Sequence, residues 1–395
     1  MDTSPVYLNQ LGLVCSLGHS HDEVLQALSS DNRESLSATT DYSSKTVYVG
    51  QVAEPLASLD DQPAHIQSRN NQLLKMAYAQ VEAEFNKLSQ DIPADRIGVV
   101  LGSSTSGIAE GEKAIKYWVE NEQLPADFDY RRQEISAPAI TLAQWSGAKG
   151  PCYTISTACS SGAKALASAR RLIQSGLCDV VLAGGVDSLA GLTVNGFDAL
   201  DSVSAGRCNP FSANRDGINI GEGCGLFVVS REPSKVCLSG AGESSDAHHI
   251  SAPHPDGAGA VAAMQKALTN AALQPADIDY INLHGTATEQ NDRMESRAVN
   301  QVFGSDTPCS STKGYTGHTL GAAGAIEAGF AWLLLQYQPN QLPLNLSDMI
   351  ADDELSPLML VTQQNSQTDK LKHIQSNSFA FGGNNISLIL SEAQS

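Results

Sequence analysis

Continuous apolar runs ending in small residues recur along the chain. "RIGVVLGSS" (residues 96–104), "DVVLAGG" (179–185) and "DYINLHG" (279–285) do not alternate with polar positions. That pattern predicts strands buried on both faces, as in a parallel-type sheet. "CGLFVVSRE" and the near-terminal "NNISLILSE" also read as strands. Between them, helical periodicity is expected over 71–88, 161–175, 257–272 and 319–338. The alternation predicts an α/β protein, with a division near residues 233–240. No repeat of 20–50 residues is visible, so solenoid and propeller architectures are not indicated.

Composition narrows the class. With 395 residues the chain suits two domains or one large duplicated fold. Hydrophobic residues make up 42% and charged residues 17%, enough for a sizeable core. The formal charge of −19 argues against general nucleic-acid binding, which wants a basic footprint. The opening "MDTSPVYLNQLGLVCSLG" has no basic segment before an apolar core, so no signal peptide is expected. The most apolar helical stretch, "AGFAWLLLQYQ" (328–338), is too short to span a bilayer and reads as a buried helix. Eight cysteines without CxxC pairs suggest free thiols in a reducing cytoplasm.

One cysteine has a distinctive setting. In "TISTACSSGAKAL" (154–166) Cys159 lies where a β-branched run gives way to small residues and a helical pattern. Most lone cysteines are small core hydrophobes. A helix start supplies free N–H groups and the positive end of the helix dipole, which favour a thiolate, and small neighbours leave room for substrate. Cys15, Cys152, Cys178, Cys208, Cys224, Cys237 and Cys309 lack this setting and read as core thiols. Two histidines end strand-like or turn segments: His284 in "NLHGTATEQND" and His318, with Lys313, in "STKGYTGHTLGAAG". Small and hydroxyl residues follow both, which suits a tight accessible pocket. Gly317, Gly321 and Gly324 read as close-packing positions. "NSFAFGGNN" (377–385) reads as a Gly-Gly turn between strands, able to aim a backbone N–H at a carbonyl.

Together these segments resemble the β-ketoacyl-acyl carrier protein synthases of the thiolase-like superfamily. "TACSSG", "NPFSANRDGINIGEGCG", "HGTAT", "KGYTGHTLGAAG" and "FAFGGNN" stand in the family's order, and the resemblance covers nearly the whole chain. It implies a five-layer αβαβα fold from two similar halves, 1–235 with the cysteine and 236–395 with the histidines. It implies decarboxylative condensation of an acyl group on Cys159 with malonyl-acyl carrier protein, without cofactor or metal. Cys159 would be the nucleophile and His284 with His318 the catalytic pair. Lys313 matches the family's lysine near the second histidine, and Glu295 its acidic residue downstream of the first histidine, expected to help hold Lys313 and the pocket. The N–H groups of Cys159 and Phe381 would form the oxyanion hole. Thr286 and Thr288 match the hydroxyls lining the pantetheine tunnel. Phe381 would gate the acyl site, with Phe379 and Gly382 in the same loop and Asp246 controlling it. The implied partners are acyl carrier protein and a second ketosynthase-like subunit in a homodimer or heterodimer, with no nucleic acid or membrane.

The chain departs from the family at Glu289, where proline is common, at Ala380 in place of glycine, and in "CNPFSANRDG", which lacks the usual acid after "PF". These positions bear on substrate preference and gate flexibility. The Glu-Gln-Asn-Asp run resembles ketosynthases of aryl polyene pathways. His318 argues against a thiolase, which carries a cysteine there, and against the Cys-His-Asn initiating synthases. Cys159 argues against a non-catalytic chain-length factor. "SGAK" lacks the following elements of penicillin-binding enzymes. "GEGCG" is followed by a strand-like run rather than a dinucleotide-binding helix. "AHH" (247–249) lacks a spaced third metal ligand. Carrier proteins being commonly acidic, a basic docking patch drawn from Arg69, Arg131, Arg132 and Arg207 is expected.

Overall fold

The computed structural model describes residues 4–53 and 55–393. In chain order its strands are β1 (Tyr7–Cys15), β2 (Ser37–Thr39), β3 (Val47–Gly50), β4 (Ile97–Gly102), β5 (Cys152–Ile155), β6 (Val180–Asp187), β7 (Ile220–Gly221) and β8 (Gly223–Ser230). They continue with β9 (Val236–Ser245), β10 (Tyr280–Leu283), β11 (Pro308–Ser311), β12 (Met359–Leu360), β13 (His373–Ala380) and β14 (Asn384–Glu392). The helices are α1 (His21–Leu28), α2 (Arg69–Ser89), α3 (Ile108–Asn121), α4 (Ala137–Ser146), α5 (Ser161–Gln174), α6 (Gly191–Asp198), α7 (Ala258–Ala271), α8 (Glu289–Phe303), α9 (Lys313–Thr316) and α10 (Ala323–Tyr337).

Eleven strands form one sheet in the order β12-β11-β10-β13-β14-β9-β1-β8-β6-β4-β5. It has two arms. Strands from residues 7–230 make one and strands from 236–392 the other. They meet at β1 and β9 through the single register pair Tyr7↔Cys237. Helices α5 and α10 lie between the arms, α2 and α4 cover the outer face of the first, and α7 with α8 cover the second. This is the layered α/β architecture expected, of thiolase-like type. Strands β2, β3 and β7 form a separate small sheet.

The sequence pattern suggested parallel strands, and the structure is mixed. β4 is parallel to β5 and β6, and β10 to β11 and β13. β1/β8, β6/β8, β13/β14 and β9/β14 are antiparallel. Helices cover both faces of each arm, so antiparallel strands here are as uniformly apolar as parallel ones.

The central helices explain their own composition. From Ala323 to Leu335 every residue of α10 is buried, which suits a helix enclosed by two sheet arms and a second helix. Burying Phe330, Trp332 and the three leucines 333–335 contributes on the order of 1.5–3 kcal/mol per large side chain. The Trp332 indole N–H donates to the Leu8 carbonyl, so its polar atom is satisfied. Among the described residues no helix is long and apolar enough to cross a membrane.

Candidate active site

Cys159 sits on a sharp turn between β5 and α5. Ala158, just before it, takes a left-handed conformation at φ 51°. The two serines that follow hold the turn. Ser160 Oγ donates to the Thr157 carbonyl and Ser161 Oγ to the Ala158 carbonyl, while the Thr157 N–H donates back to Ser161 Oγ at 2.8 Å. Short hydroxyl side chains thus satisfy backbone groups that the bend removes from regular pairing.

His318 is fixed through its backbone. Its N–H donates to the Asn219 carbonyl, and its own carbonyl accepts from the Gly221 N–H at 2.9 Å. The approach demands glycine at 221, because a Cβ there would fall 2.1 Å from the Thr316 carbonyl oxygen. The His318 ring accepts a hydrogen bond from the Leu320 N–H at Nδ1, 3.2 Å away. The neutral ring therefore carries its proton on Nε2, which lies 3.0 Å from Cys159 Sγ.

His284 has the same tautomer for a different reason. Lys313 Nζ lies 3.4 Å from its Nδ1, and an ammonium only donates, so the His284 proton is also on Nε2. The two rings are edge to face with centroids 5.4 Å apart. Both imidazoles are held well below their usual pKa, first by burial and then by the Lys313 charge. Both are therefore neutral donors at physiological pH.

The structure corrects the role expected of Glu295. Lys313 pairs with Glu327, Nζ to Oε1 at 2.5 Å, and both side chains are buried. Glu295 instead accepts the backbone N–H groups of His284 and Gly285, each at 2.7 Å, and so braces the loop carrying the histidine. Burial pushes its carboxyl up to about 7, against the pull of those two donors. Sequence reasoning missed Glu327. The available signal was a lone acid inside an otherwise apolar helix, a placement that calls for a buried partner.

The expected lowering of the Cys159 pKa is also corrected. Burial pushes the thiol up to about 11, and the Lys313 charge with the Phe381 and Cys159 backbone N–H groups offsets only part of this. Desolvation outweighs those donors.

Cys159, His284, His318, Thr286, Thr288, Phe379 and Phe381 line one cavity of roughly 340 Å³. Thr286 and Thr288 join hydroxyl to hydroxyl at 2.9 Å. Phe381 stacks at a tilt on Phe197, centroids 5.7 Å apart, a contact not foreseen. Gly382 and Asp246 are not in the lining. The Gly382 N–H donates to the Ile250 carbonyl, and Asp246 accepts from Asn385 Nδ2 at 2.7 Å and the His254 N–H at 3.0 Å. They tie the 379–383 turn to the 246–254 loop.

Cys159, His284 and His318 each bring a ligand-type atom within 4.8 Å of the others, a set that could hold Zn²⁺. The Lys313 ammonium beside them opposes a cation and favours developing negative charge.

Of the four arginines expected in a basic patch, three are held within the fold, and Arg207 has no carboxylate partner among the described residues. Arg69 is bound to Glu222 through Nε at 2.7 Å and Nη2 at 2.6 Å. Arg131 pairs with Asp129, and Arg132 is buried, donating to the Ala64 carbonyl. Arg207 lies over the Tyr48 ring. Arginine count alone does not reveal which guanidinium groups are spent on internal carboxylates and carbonyls.

Residues 11–234 match the family model of the beta-ketoacyl synthase N-terminal domain, and residues 236–346 that of its C-terminal domain. The chain is 40% identical over 319 residues to a mitochondrial 3-oxoacyl-acyl-carrier-protein synthase of Arabidopsis thaliana, covering 75% of this chain and 68% of the relative. It is 33% identical over 316 residues to 3-oxoacyl-acyl-carrier-protein synthase 2 of Staphylococcus aureus, covering 75% and 77%. A ketosynthase solved in complex with its chain length factor, from Xenorhabdus doucetiae, superposes with a TM-score of 0.95 at 43% identity, covering 99% of this chain and 98% of that one.

Proposed function

The chain belongs to the β-ketoacyl synthase family, acyltransferases of fatty acid and polyketide synthesis, and we propose that Cys159 carries the acyl chain while His284 and His318 hold the charge of the incoming nucleophile. The first step is thioester exchange. Cys159 sulfur attacks the acyl carbonyl, the bond to the pantetheine sulfur breaks, and the thiol proton leaves with that sulfur. Malonyl thioester then enters. Its C–C bond to the carboxylate breaks, CO₂ departs, and the electron pair delocalises onto the thioester oxygen. The Nε2–H groups of His284 and His318 donate to that oxygen. The carbanion attacks the acyl-cysteine carbonyl, whose oxygen is met by the Cys159 and Phe381 N–H groups. Collapse expels the Cys159 thiolate and yields the β-ketoacyl thioester. One such oxyanion donor is worth roughly 3–4 kcal/mol.

The observation that carries this reading is the matched pair of neutral imidazoles. Two different partners, the Leu320 N–H and the Lys313 ammonium, take the Nδ1 atoms and leave both Nε2 protons available. In this reading Lys313 and Glu327 orient His284, and Glu295, Thr286, Thr288, Phe379, Gly382 and Asp246 shape or brace the tunnel. The functional halves are residues 1–235 and 236–395. A related subunit as partner is supported by the likeness to a ketosynthase solved with its chain length factor. A cytoplasmic setting is supported by eight cysteines with no disulfide.

Intact-protein mass spectrometry after incubation with acyl-carrier protein tests the assignment. The acyl mass should appear on the wild type and on His318→Ala but be absent from Cys159→Ala. His318→Ala should release CO₂ from malonyl-carrier protein about 10²–10³-fold more slowly than wild type. Normal decarboxylation by that variant would remove the charge-stabilising role.

A further inference from the structure

Two strained residues meet at one buried carboxylate. Ala287, between the two cavity threonines, takes φ 66°, and Phe211 takes φ 60°. Both lie in the left-handed region, which costs an L-residue with a side chain roughly 5–30-fold in population. The N–H of each donates to Asp292, in the first turn of α8. Phe211 reaches Oδ2 at 2.8 Å and Ala287 reaches Oδ1 at 3.2 Å. Asn291 Nδ2 donates to the same Oδ1 at 3.1 Å. Asp292 is fully buried, and no step of the condensation uses its carboxyl group.

The clamp reaches the cavity through Ala287. The Ala287 carbonyl accepts the Gly217 N–H at 3.0 Å, so both backbone polar groups of the residue are held. Its side chain is buried in a small cluster with Leu36 and Cys208, neither of which lines the cavity. The flanking Thr286 and Thr288 do line it, and the bend brings their hydroxyls to 2.9 Å of each other. Phe211 supports the same loop. Its ring closes on Gly285, where a Cβ would fall 2.9 Å from Cε2. Strain held in place by surroundings that over-determine it marks a geometry kept for function.

We propose that Asp292 is a positioning residue for substrate: by holding Ala287 and Phe211 left-handed, it presents the Thr286–Thr288 hydroxyl pair to the pantetheine arm of the thioester. The proposal rests on the condensing-enzyme reading, which brings that arm past these threonines. Asp292 touches no reacting atom. Its loss therefore weakens binding of the arm and leaves the reactivity of Cys159 in place. Glycine adopts the left-handed conformation freely, so Ala287→Gly removes most of the need for the clamp at that residue.

The test compares Asp292→Ala in two backgrounds, wild type and Ala287→Gly. The substrate is hexanoyl-pantetheine without carrier protein, and acylation of Cys159 is followed by intact-protein mass spectrometry. In the wild-type background Asp292→Ala should raise KM about tenfold. The maximal acylation rate, and the rate of Cys159 alkylation by iodoacetamide, should stay within about threefold of wild type. In the Ala287→Gly background the same change should raise KM by no more than about threefold. In a Thr286→Val, Thr288→Val enzyme it should add nothing to KM. Equal KM increases in all backgrounds would overturn the clamp, as would alkylation slowed as much as KM is raised. Should Asp292→Ala fail to fold alone, the double variant decides: recovery of folded, acylating enzyme by Ala287→Gly supports the clamp, and no recovery overturns it. Failure of hexanoyl-pantetheine to acylate wild-type Cys159 would overturn the condensing-enzyme reading itself, and the role of Asp292 with it.

Discussion

The turn before α5 and the turn before α10 follow one backbone plan. In each a residue with a side chain adopts a left-handed conformation, Ala158 at φ 51° and Leu320 at φ 51°. In each a helix begins three residues later, at Ser161 and at Ala323. The packing is reciprocal as well. A Cβ on Gly162 would lie 2.9 Å from the Ala325 Cβ, and one on Gly324 would lie 2.7 Å from the Ala163 Cβ. The chemistry differs. The residue after the left-handed position is Cys159 in one turn and Gly321 in the other, and His318 stands two residues before it only in the second. Two copies of one backbone device have thus been given complementary halves of a reaction. Their close crossing explains how residues 159 positions apart come within 3.0 Å.

If the crossing is what brings the halves together, it should fail equally from either side. Gly162→Ala and Gly324→Ala should each destabilise the protein by about 1–3 kcal/mol, up to roughly a hundredfold in the folding equilibrium, because backbone and a facing alanine cannot yield. Chemical denaturation of both variants measures this. Full stability in one and not the other would show that the turns are alike in shape but not in mechanical role.

Much of this was legible in the chain, and the exceptions have physical causes. Small residues after an apolar run marked the Cys159 turn, and the glycines 317, 321 and 324 marked close packing, because such geometry excludes most side chains. The equivalence of the two turns was not legible, since "TACSSGA" and "HTLGAAG" share a backbone conformation and few residues. Strand direction was hidden because both sheet faces are covered. The partner of Lys313 was hidden because Glu295 before it and Glu327 after it are both acids of the same half, and only the fold decides which faces the ammonium. The fate of Arg69 likewise depends on Glu222, which lies 153 positions away.

The two halves of the site should also titrate in separate pH ranges, the imidazoles below their ordinary range and the thiol above its own. On the histidine side the pKa values are lowered, so neutral imidazole, and with it decarboxylation, should persist as pH falls below 6.5. The double variant Lys313→Met, Glu327→Gln removes the second cause of that lowering without stranding a buried carboxylate. Its imidazole pKa values should rise, so malonyl decarboxylation at about pH 5.5, relative to about pH 8, should fall several-fold below the wild-type ratio. On the cysteine side the thiol is raised to about 11, so acylation by a carrier-free thioester should speed up as pH rises above neutral. Superimposable pH profiles for loading and decarboxylation would mean that one group limits both steps.

The smallest expected effect concerns the thiols themselves, and it separates access from activation. Cys152, at the start of β5, is exposed, whereas Cys159, seven residues on, is buried but lines the cavity. Cys15, Cys224 and Cys309 are enclosed, and burial raises each of their thiols further than that of Cys159. None of the three has the Lys313 charge that pulls on Cys159, and the two backbone donors at Cys15 do not offset its burial. Limited iodoacetamide at about pH 8 should therefore label Cys152 through exposure and Cys159 through its donors, with only a few-fold difference between the two rates. Loss of activity should track Cys159 alone, as peptide mapping at partial inactivation would show. Prior acylation should protect Cys159 and leave Cys152 unchanged. Faster labelling of any enclosed thiol, or inactivation that tracks Cys152, would mean that the donors around Cys159 do not offset its burial, and the nucleophile would have to be sought elsewhere on the turn.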